Sequence, residues 1–215
     1  MKKKYFGTDG IRGVAYEHPM EPNFLKKLSC AIFESSKIHL RKIIIGRDTR
    51  VSGTMIEQTI VKTFINMGVD CTTIGIVSTP ILSFYTKINH FDLGIMITAS
   101  HNPYHDNGIK IFDRNGEKLS DKNELLIEKS IGKKLVFKKC KVGKIVKEKI
   151  YFDKYLAFLS SNLPRKINLK KIKIFLDCAN GSISYIAPNF FKKLGANIVV
   201  SSCQPDGKNI NKNCG

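Results

Sequence analysis

Short β-branched apolar runs alternate with helical segments along most of this 215-residue chain. Runs of this kind occupy residues 42–46, 70–77 and 92–98, and apolar residues recur at helical spacing in residues 21–36 and 54–67. Each run is short enough for a strand and apolar enough to be buried, whereas the helical segments have one apolar face. This alternation predicts an α/β fold, with a layered sheet domain that carries helices on both faces.

A second unit follows a turn-like stretch at residues 164–168. A strand, a helix and another strand are predicted within residues 172–200, which is one β-α-β unit. We therefore predict one domain over residues 1–163 and the incomplete start of a second similar α/β domain over residues 164–215. About fifty residues are too few to bury both faces of a sheet.

Reactive side chains are densest in residues 98–110, with the sequence Thr-Ala-Ser-His-Asn-Pro-Tyr-His-Asp-Asn-Gly-Ile-Lys. Ser100 falls just past a predicted strand, where a rigid sheet carries an open loop. Asn102-Pro103 and Asn107-Gly108 are strong turn signals. A serine nucleophile needs an activator or a charge stabiliser, and backbone N–H groups of the loop could cradle an anion. The nearby candidates are His101, His105 and Lys110.

Other interpretations of this loop are available from the residues alone. Ser100 and Asn102 could bond only their own backbone and shape a turn. The loop has no Gly-x-Ser-x-Gly elbow, which disfavours acyl transfer. A zinc pair of His101 and His105 would need a helix, which Pro103 interrupts. The six cysteines have no Cys-x-x-Cys spacing, so neither zinc nor a disulfide framework is expected.

The loop resembles the phosphoserine loop of the α-D-phosphohexomutase family, in which Thr-Ala-Ser-His-Asn-Pro precedes Asn-Gly and a Lys. Three further segments resemble family motifs in matching order, namely residues 5–13, 46–53 and 177–181. The opening Phe-Gly-Thr-Asp-Gly-Ile-Arg-Gly most resembles the bacterial phosphoglucosamine mutases. The resemblance extends from about Lys4 to the last residue.

This resemblance implies a phosphosugar mutase that interconverts glucosamine 6-phosphate and glucosamine 1-phosphate through a bisphosphate. Ser100 would carry the phosphate, which would also be an oxygen ligand to Mg²⁺. His101 and Lys110 would stabilise charge or assist proton transfer, and Arg12 would contact a phosphate. Phosphoryl transfer depends on positioning and on neutralising anionic oxygens, and the fork of an Arg suits phosphate.

Three family motifs do not occur in these 215 residues: the Asp-Gly-Asp-Gly-Asp-Arg magnesium loop, the Glu-x-Ser-Gly-His sugar loop and the C-terminal phosphate loop. The remaining metal ligands are thus missing, and we expect little or no mutase activity from this chain alone. A partner chain that supplies a C-terminal half is possible. Glucose or mannose phosphates remain alternative substrates, and a noncatalytic phosphosugar-binding relic is an alternative function.

The formal net charge of +18 raises the alternative of nucleic-acid binding. The lysines are spread along the chain, and the densest basic region, residues 133–149, contains no aromatic platform beyond Phe137. We therefore expect no specific nucleic-acid partner. No apolar run approaches membrane-spanning length and no signal peptide follows the basic N-terminus, which predicts a globular cytoplasmic protein without a membrane partner.

The loop at residues 46–53 lacks the Gly-Lys-Ser/Thr ending of a Walker A motif, so an ATPase is disfavoured. Its arginines, Arg47 and Arg50, are predicted to pair with Asp48 or with other acids in a structural role.

Overall fold

A computed structural model describes residues 3–36, 40–133, 141–148, 152–164 and 167–215. Its elements in chain order, apart from a short 3-10 turn at Ser182–Tyr185, are β1 (Ile11–Val14), α1 (Pro22–Ser35), β2 (Lys42–Arg47), α2 (Gly53–Asn66), β3 (Asp70–Ile76), α3 (Thr79–Ile88), β4 (Leu93–Ile97), β5 (Asp106–Asp113), α4 (Asp121–Ser130), β6 (Ile145–Lys147), α5 (Asp153–Ser161), β7 (Lys173–Asp177), α6 (Ala187–Lys193) and β8 (Asn197–Ser201).

The main sheet has six strands in the order β1-β5-β4-β2-β3-β6. Strands β4, β2, β3 and β6 are parallel, whereas β5 is antiparallel to both β4 and β1. Strand β2 is buried on both faces: Ile43 and Ile45 belong to the core that contains residues of α1, α2 and α4, and Ile44 belongs to the core that contains residues of α3 and α5. The predicted α/β layers with helices on both faces are confirmed.

The sequence predicts a helix that is capped by Ser120 and extends to about residue 131, and this helix is confirmed as α4. Ser120 precedes the helix in extended conformation and its hydroxyl accepts a hydrogen bond from the Asn123 N–H at 3.3 Å. Asp121 and Glu124 lie in the first turn, where carboxylates interact favourably with the helix dipole. No helix in the described part of the chain combines the length and apolar character needed to cross a membrane.

The predicted turn at Asn107-Gly108 is wrong, because both residues lie inside β5. The Asn107 side chain is fully buried and donates to Ser52 Oγ at 2.9 Å. A Cβ on Gly108 would lie 2.6 Å from the Ile11 carbonyl oxygen and 2.7 Å from that of Thr98. Gly108 is thus needed for the close approach of neighbouring backbones in the sheet, not for a turn.

The sequence predicts a glycine-rich bend that contains Thr8, Asp9 and Arg12, and the bend in the structure is shorter. It lies at residues 7–10, where the Gly7 N–H donates to the Gly10 carbonyl at 2.8 Å. Arg12, which the sequence placed within the bend, is in β1 and pairs with Gly108 of β5. Pairing with a strand of the main sheet fixes the backbone position of this arginine.

The C-terminal unit contains β7 and β8, which pair in parallel, with the 3-10 turn and α6 between them. This agrees with the predicted β-α-β unit, although the helix predicted over residues 184–194 is divided into two pieces. Within the predicted boundary at residues 164–168, residues 165 and 166 lie outside the described part of the chain. The division into two domains stays a prediction.

The Glu128 carboxylate of α4 binds the backbone of the N-terminal segment. Glu128 accepts hydrogen bonds from the backbone N–H groups of Lys4, Tyr5 and Phe6 at 2.8, 2.6 and 2.7 Å. Partial burial would by itself raise the pKa of Glu128, but the three N–H donors lower it below its ordinary value. The carboxylate form is therefore the one that stabilises the fold.

We expect Glu128→Ala to lower the free energy of unfolding by about 1–3 kcal/mol near neutral pH, because three backbone donors lose their acceptor. The contribution is fully present above the ordinary pKa of 4.5 and is lost as the pH falls through the lower pKa of the folded state. Denaturant unfolding at about pH 7 and about pH 3 should show the gap to the unsubstituted chain narrowing in acid. Glu117→Ala, at an exposed carboxylate, is the control, and a pH-independent gap would contradict this role.

Candidate active site

Ser100 lies on the loop that follows β4, at the carboxyl end of a parallel strand. It is exposed, and its φ of 58° is in the left-handed region. A residue other than glycine adopts this conformation at a cost of roughly 1–3 kcal/mol, and only where its surroundings maintain it. The Ser100 N–H donates to Thr98 Oγ1 at 3.0 Å, which is one of the contacts that maintain the loop.

A buried guanidinium donates hydrogen bonds to the backbone of this loop. Arg50 is fully buried and forms an ion pair with the buried Asp48. Its Nη2 donates to the carbonyl oxygens of Ser100 at 3.2 Å and of Asn102 at 2.6 Å. Asp48 Oδ2 also accepts the Thr98 hydroxyl at 2.6 Å. One charged pair therefore contacts both the strand end and the loop that follows it.

The predicted structural role of both loop arginines is confirmed. Arg50 pairs with Asp48, and Arg47 Nε lies 3.2 Å from Glu57 Oε2 on α2. The contact between Arg50 and the carbonyls of the Ser100 loop could not be read from the 46–53 motif, because those groups lie 50 and 52 positions further along the chain.

Two of the loop N–H groups that could cradle an anion already have partners within the loop. The Ser100 N–H donates to Thr98 Oγ1, and the Asn102 N–H donates to the Ala99 carbonyl at 3.2 Å. These two donors are used within the loop, and charged side chains bind an anion more strongly than neutral N–H groups do.

Arg12 and Lys110 converge on one carboxylate. Asp9 Oδ2 accepts from Arg12 Nη2 at 3.0 Å and also forms an ion pair with Lys110 Nζ. Arg12 Nη1 lies 3.4 Å from Asn102 Oδ1, which connects the arginine to the Ser100 loop. The two predicted cations are thus brought together next to this loop, with an anion already between them.

Sequence reasoning missed the role of Asp9, although its position three residues before Arg12 was visible. Partial burial would by itself raise the pKa of the Asp9 carboxyl, but the hydrogen bond and charge of Lys110, together with Arg12, lower that pKa below its ordinary value. Asp9 is therefore an anion at neutral pH, and it holds the two cations in a common position.

The two histidines of the loop are both exposed. His105 Nε2 lies 3.9 Å from the Asp106 carboxylate, and its ring contacts that of Tyr104. His101 adjoins Ser100 in the chain, so it is the histidine closer in sequence to the proposed phosphate carrier. Its role in proton transfer stays a prediction.

The described residues do not by themselves fit a magnesium site. Over those residues, no group of three or more His, Cys, Asp or Glu side chains is arranged to hold a metal ion. Mg²⁺ prefers several oxygen ligands in octahedral geometry, and a phosphate on Ser100 would supply only part of such a set.

The chain belongs to the phosphoglucomutase and phosphomannomutase family: residues 3–136 match the family model "Phosphoglucomutase/phosphomannomutase, alpha/beta/alpha domain I". More particularly, relatives named phosphoglucosamine mutase match the whole chain. The protein from Buchnera aphidicola subsp. Baizongia pistaciae is 44% identical over 214 residues, which cover 99% of this chain and 47% of that protein. The protein from Pseudoalteromonas translucida is 42% identical, and the match covers 100% of this chain and 48% of that protein.

Solved structures of the family have the same fold. A putative phosphomannomutase from Thermus thermophilus superposes with a TM-score of 0.79 at 22% identity, covering 94% of this chain and 46% of that one. A phosphoglucomutase/phosphomannomutase family protein from Burkholderia thailandensis superposes with a TM-score of 0.76 at 23% identity, and the match covers 94% of this chain and 44% of that one. The chain spans about half the length of the relatives it matches.

Proposed function

We propose that this chain supplies the phosphate-carrying half of a phosphoglucosamine mutase, with Ser100 as the carrier. The observation that carries the proposal is the exposed Ser100 at a strand end, on a loop whose Asn102 is contacted by Arg12. Arg12 in turn shares the Asp9 carboxylate with Lys110. In the proposed state a phosphoryl group replaces part of the contact that Asp9 makes, because its oxygens compete for the same two cations.

The proposed reaction transfers one phosphoryl group in each direction. In the first transfer a hydroxyl oxygen of the sugar phosphate bonds to phosphorus as the bond to Ser100 Oγ breaks, and the sugar proton ends on Ser100 Oγ. His101, next to the serine, is the proposed proton carrier. The reverse transfer takes the other phosphate of the resulting bisphosphate back to Ser100. Arg12 and Lys110 neutralise the oxygens of the transferred group in both directions.

Magnesium is proposed as the cofactor of the complete site, where it would add positive charge at the phosphate. The described residues do not complete its ligand set, and no step of the proposed transfer is assigned to the metal. We also propose that the 215 residues alone turn over little substrate and need a C-terminal half, whether joined or separate, for full activity. A cytoplasmic location accords with a sugar phosphate as substrate.

The relatives' names support glucosamine phosphate as the substrate, while the family model also covers enzymes of glucose and mannose phosphates. The purified chain, with Ser100 phosphorylated, should be mixed with glucosamine 6-phosphate, glucose 6-phosphate or mannose 6-phosphate and Mg²⁺. We expect loss of the serine phosphate to be fastest with the glucosamine compound. Faster loss with glucose or mannose phosphate would reassign the substrate.

Turnover gives a second test. With glucosamine 6-phosphate, glucosamine 1,6-bisphosphate and Mg²⁺ present, we expect the 215 residues alone to form little or no glucosamine 1-phosphate. Turnover at the rate of a full-length relative assayed in parallel would contradict the proposal that a further half is needed. A chain whose Ser100 never accepts phosphate would instead support the noncatalytic alternative.

A further inference from the structure

The C-terminal loop over residues 204–213 contacts the Ser100 loop. Asn211 Nδ2 donates to the carbonyl oxygens of Ser100 and of Asn102, both at 2.9 Å. These are the same two carbonyls that accept hydrogen bonds from Arg50 Nη2. Each carbonyl oxygen has two lone pairs, so each can accept both donors. The Ser100 loop is therefore held by a buried guanidinium and by a side-chain amide.

Asn211 is itself fixed by the fold. Its N–H donates to the Ala179 carbonyl at 2.9 Å, and its neighbour Ile210 is buried. The same loop is joined to the 46–53 segment, because the Val51 N–H donates to the Gly207 carbonyl at 3.0 Å. The φ of Asn211 is 58°, a conformation that Asn and Asp tolerate better than most residues.

We infer that Asn211 is a positioning residue for phosphoryl transfer at Ser100, acting through the backbone of the Ser100 loop. This inference rests on the proposed function. The two N–H bonds of one planar amide span the carbonyls on either side of His101, so they restrain the segment that carries both the phosphate and its proposed proton carrier. Ser100 has a left-handed φ, and loss of these donors frees the loop to leave that conformation. The C-terminal unit thereby helps to position the nucleophile of the N-terminal unit.

Asn211→Asp tests this with little change in shape. The carboxylate keeps the tolerance for positive φ, loses both N–H donors and sets its oxygens against two carbonyls. Asn213→Asp is the matched control, because Asn213 is exposed, has a φ of 53° and would acquire the same charge. The measurement is the rate at which Ser100 takes a phosphoryl group from glucose 1,6-bisphosphate in the presence of Mg²⁺, followed by intact mass at several donor concentrations.

We expect Asn211→Asp to lower the maximal rate by on the order of tenfold to a hundredfold, with the half-saturating donor concentration unchanged, since small displacements of a reacting group have effects of this size. Asn213→Asp should match the unsubstituted chain. Hydrogen exchange in residues 98–106 should be faster in Asn211→Asp than in Asn213→Asp, because the loop has lost its donors.

The two readouts separate the possible failures. Equal maximal rates in the two variants would overturn the inference, even if exchange differed, because Asn211 would then be only structural. If the unsubstituted chain took up no phosphate at all, the proposed function would fail, and exchange alone would decide whether Asn211 restrains the loop. Unchanged exchange in that case would overturn the inference as well.

Discussion

Replacing Arg50 with Met is expected to lower the free energy of unfolding by about 3–5 kcal/mol, because it leaves the Asp48 carboxylate buried without its charged partner. Asp48 is 4% exposed and Arg50 is fully buried, so water cannot compensate fully for the loss. The Ser100 and Asn102 carbonyls also lose a charged donor. Folded domains are stable by only about 5–15 kcal/mol, which makes this a large fraction of the total. Urea unfolding of both proteins measures the difference.

A double substitution provides the control for Arg50. In Arg50→Met with Asp48→Asn the uncompensated charge is gone, so the double variant should be more stable than Arg50→Met alone. Arg47→Met should cost less, because the side chains of Arg47 and of its partner Glu57 are 21% and 14% exposed, so water can reach the carboxylate that is left behind. A loss below about 1 kcal/mol for Arg50→Met would mean that the buried pair does not support the loop.

Replacing Lys110 with Met is expected to slow phosphoryl transfer to Ser100 by about a hundredfold to a thousandfold, the usual effect of removing one donor from a developing anion. The methionine keeps much of the apolar stem of a side chain that is 12% exposed, so the fold should be retained. The charge next to Asp9 would be lost, leaving Arg12 as its partner. The rate is measured by intact mass after addition of a hexose bisphosphate and Mg²⁺.

Lys42→Met is the control for Lys110, since it removes a lysine charge at the start of β2, and its Nζ contacts the Asn89 carbonyl. That variant should transfer phosphate at the unsubstituted rate. Equal rates in Lys110→Met and Lys42→Met would show that the Lys110 ammonium does not act on the transferred group.

Much of the fold could be predicted because its signals are local. The apolar runs of β2 and β4 and the helical spacing of α1 come from burial, which the alternation of residue types reports directly. Asn107-Gly108 was misread because its local preference for a turn is overridden by the sheet. Gly108 is needed where the Ile11 and Thr98 carbonyls approach, and such contacts have no local signal.

Only some residues of the candidate site could be selected from the sequence, for a similar reason. Ser100, His101, Lys110 and Arg12 could be selected from motifs, and the structure brings Arg12 and Lys110 to the same carboxylate. The donor contributed by Asn211 could not be found in this way, because it lies 111 positions from Ser100 in the sequence. Side chains that support a loop from another unit require the tertiary structure to be recognised.

The most direct test of phosphate carriage at Ser100 is the intact mass of the purified chain and of Ser100→Ala after incubation with a hexose 1,6-bisphosphate and Mg²⁺. We predict that the unsubstituted chain gains the mass of one phosphoryl group, located on Ser100 by peptide fragmentation, and that Ser100→Ala gains none. A chain that stays unmodified, or a phosphoryl group that forms equally in Ser100→Ala, would contradict the account.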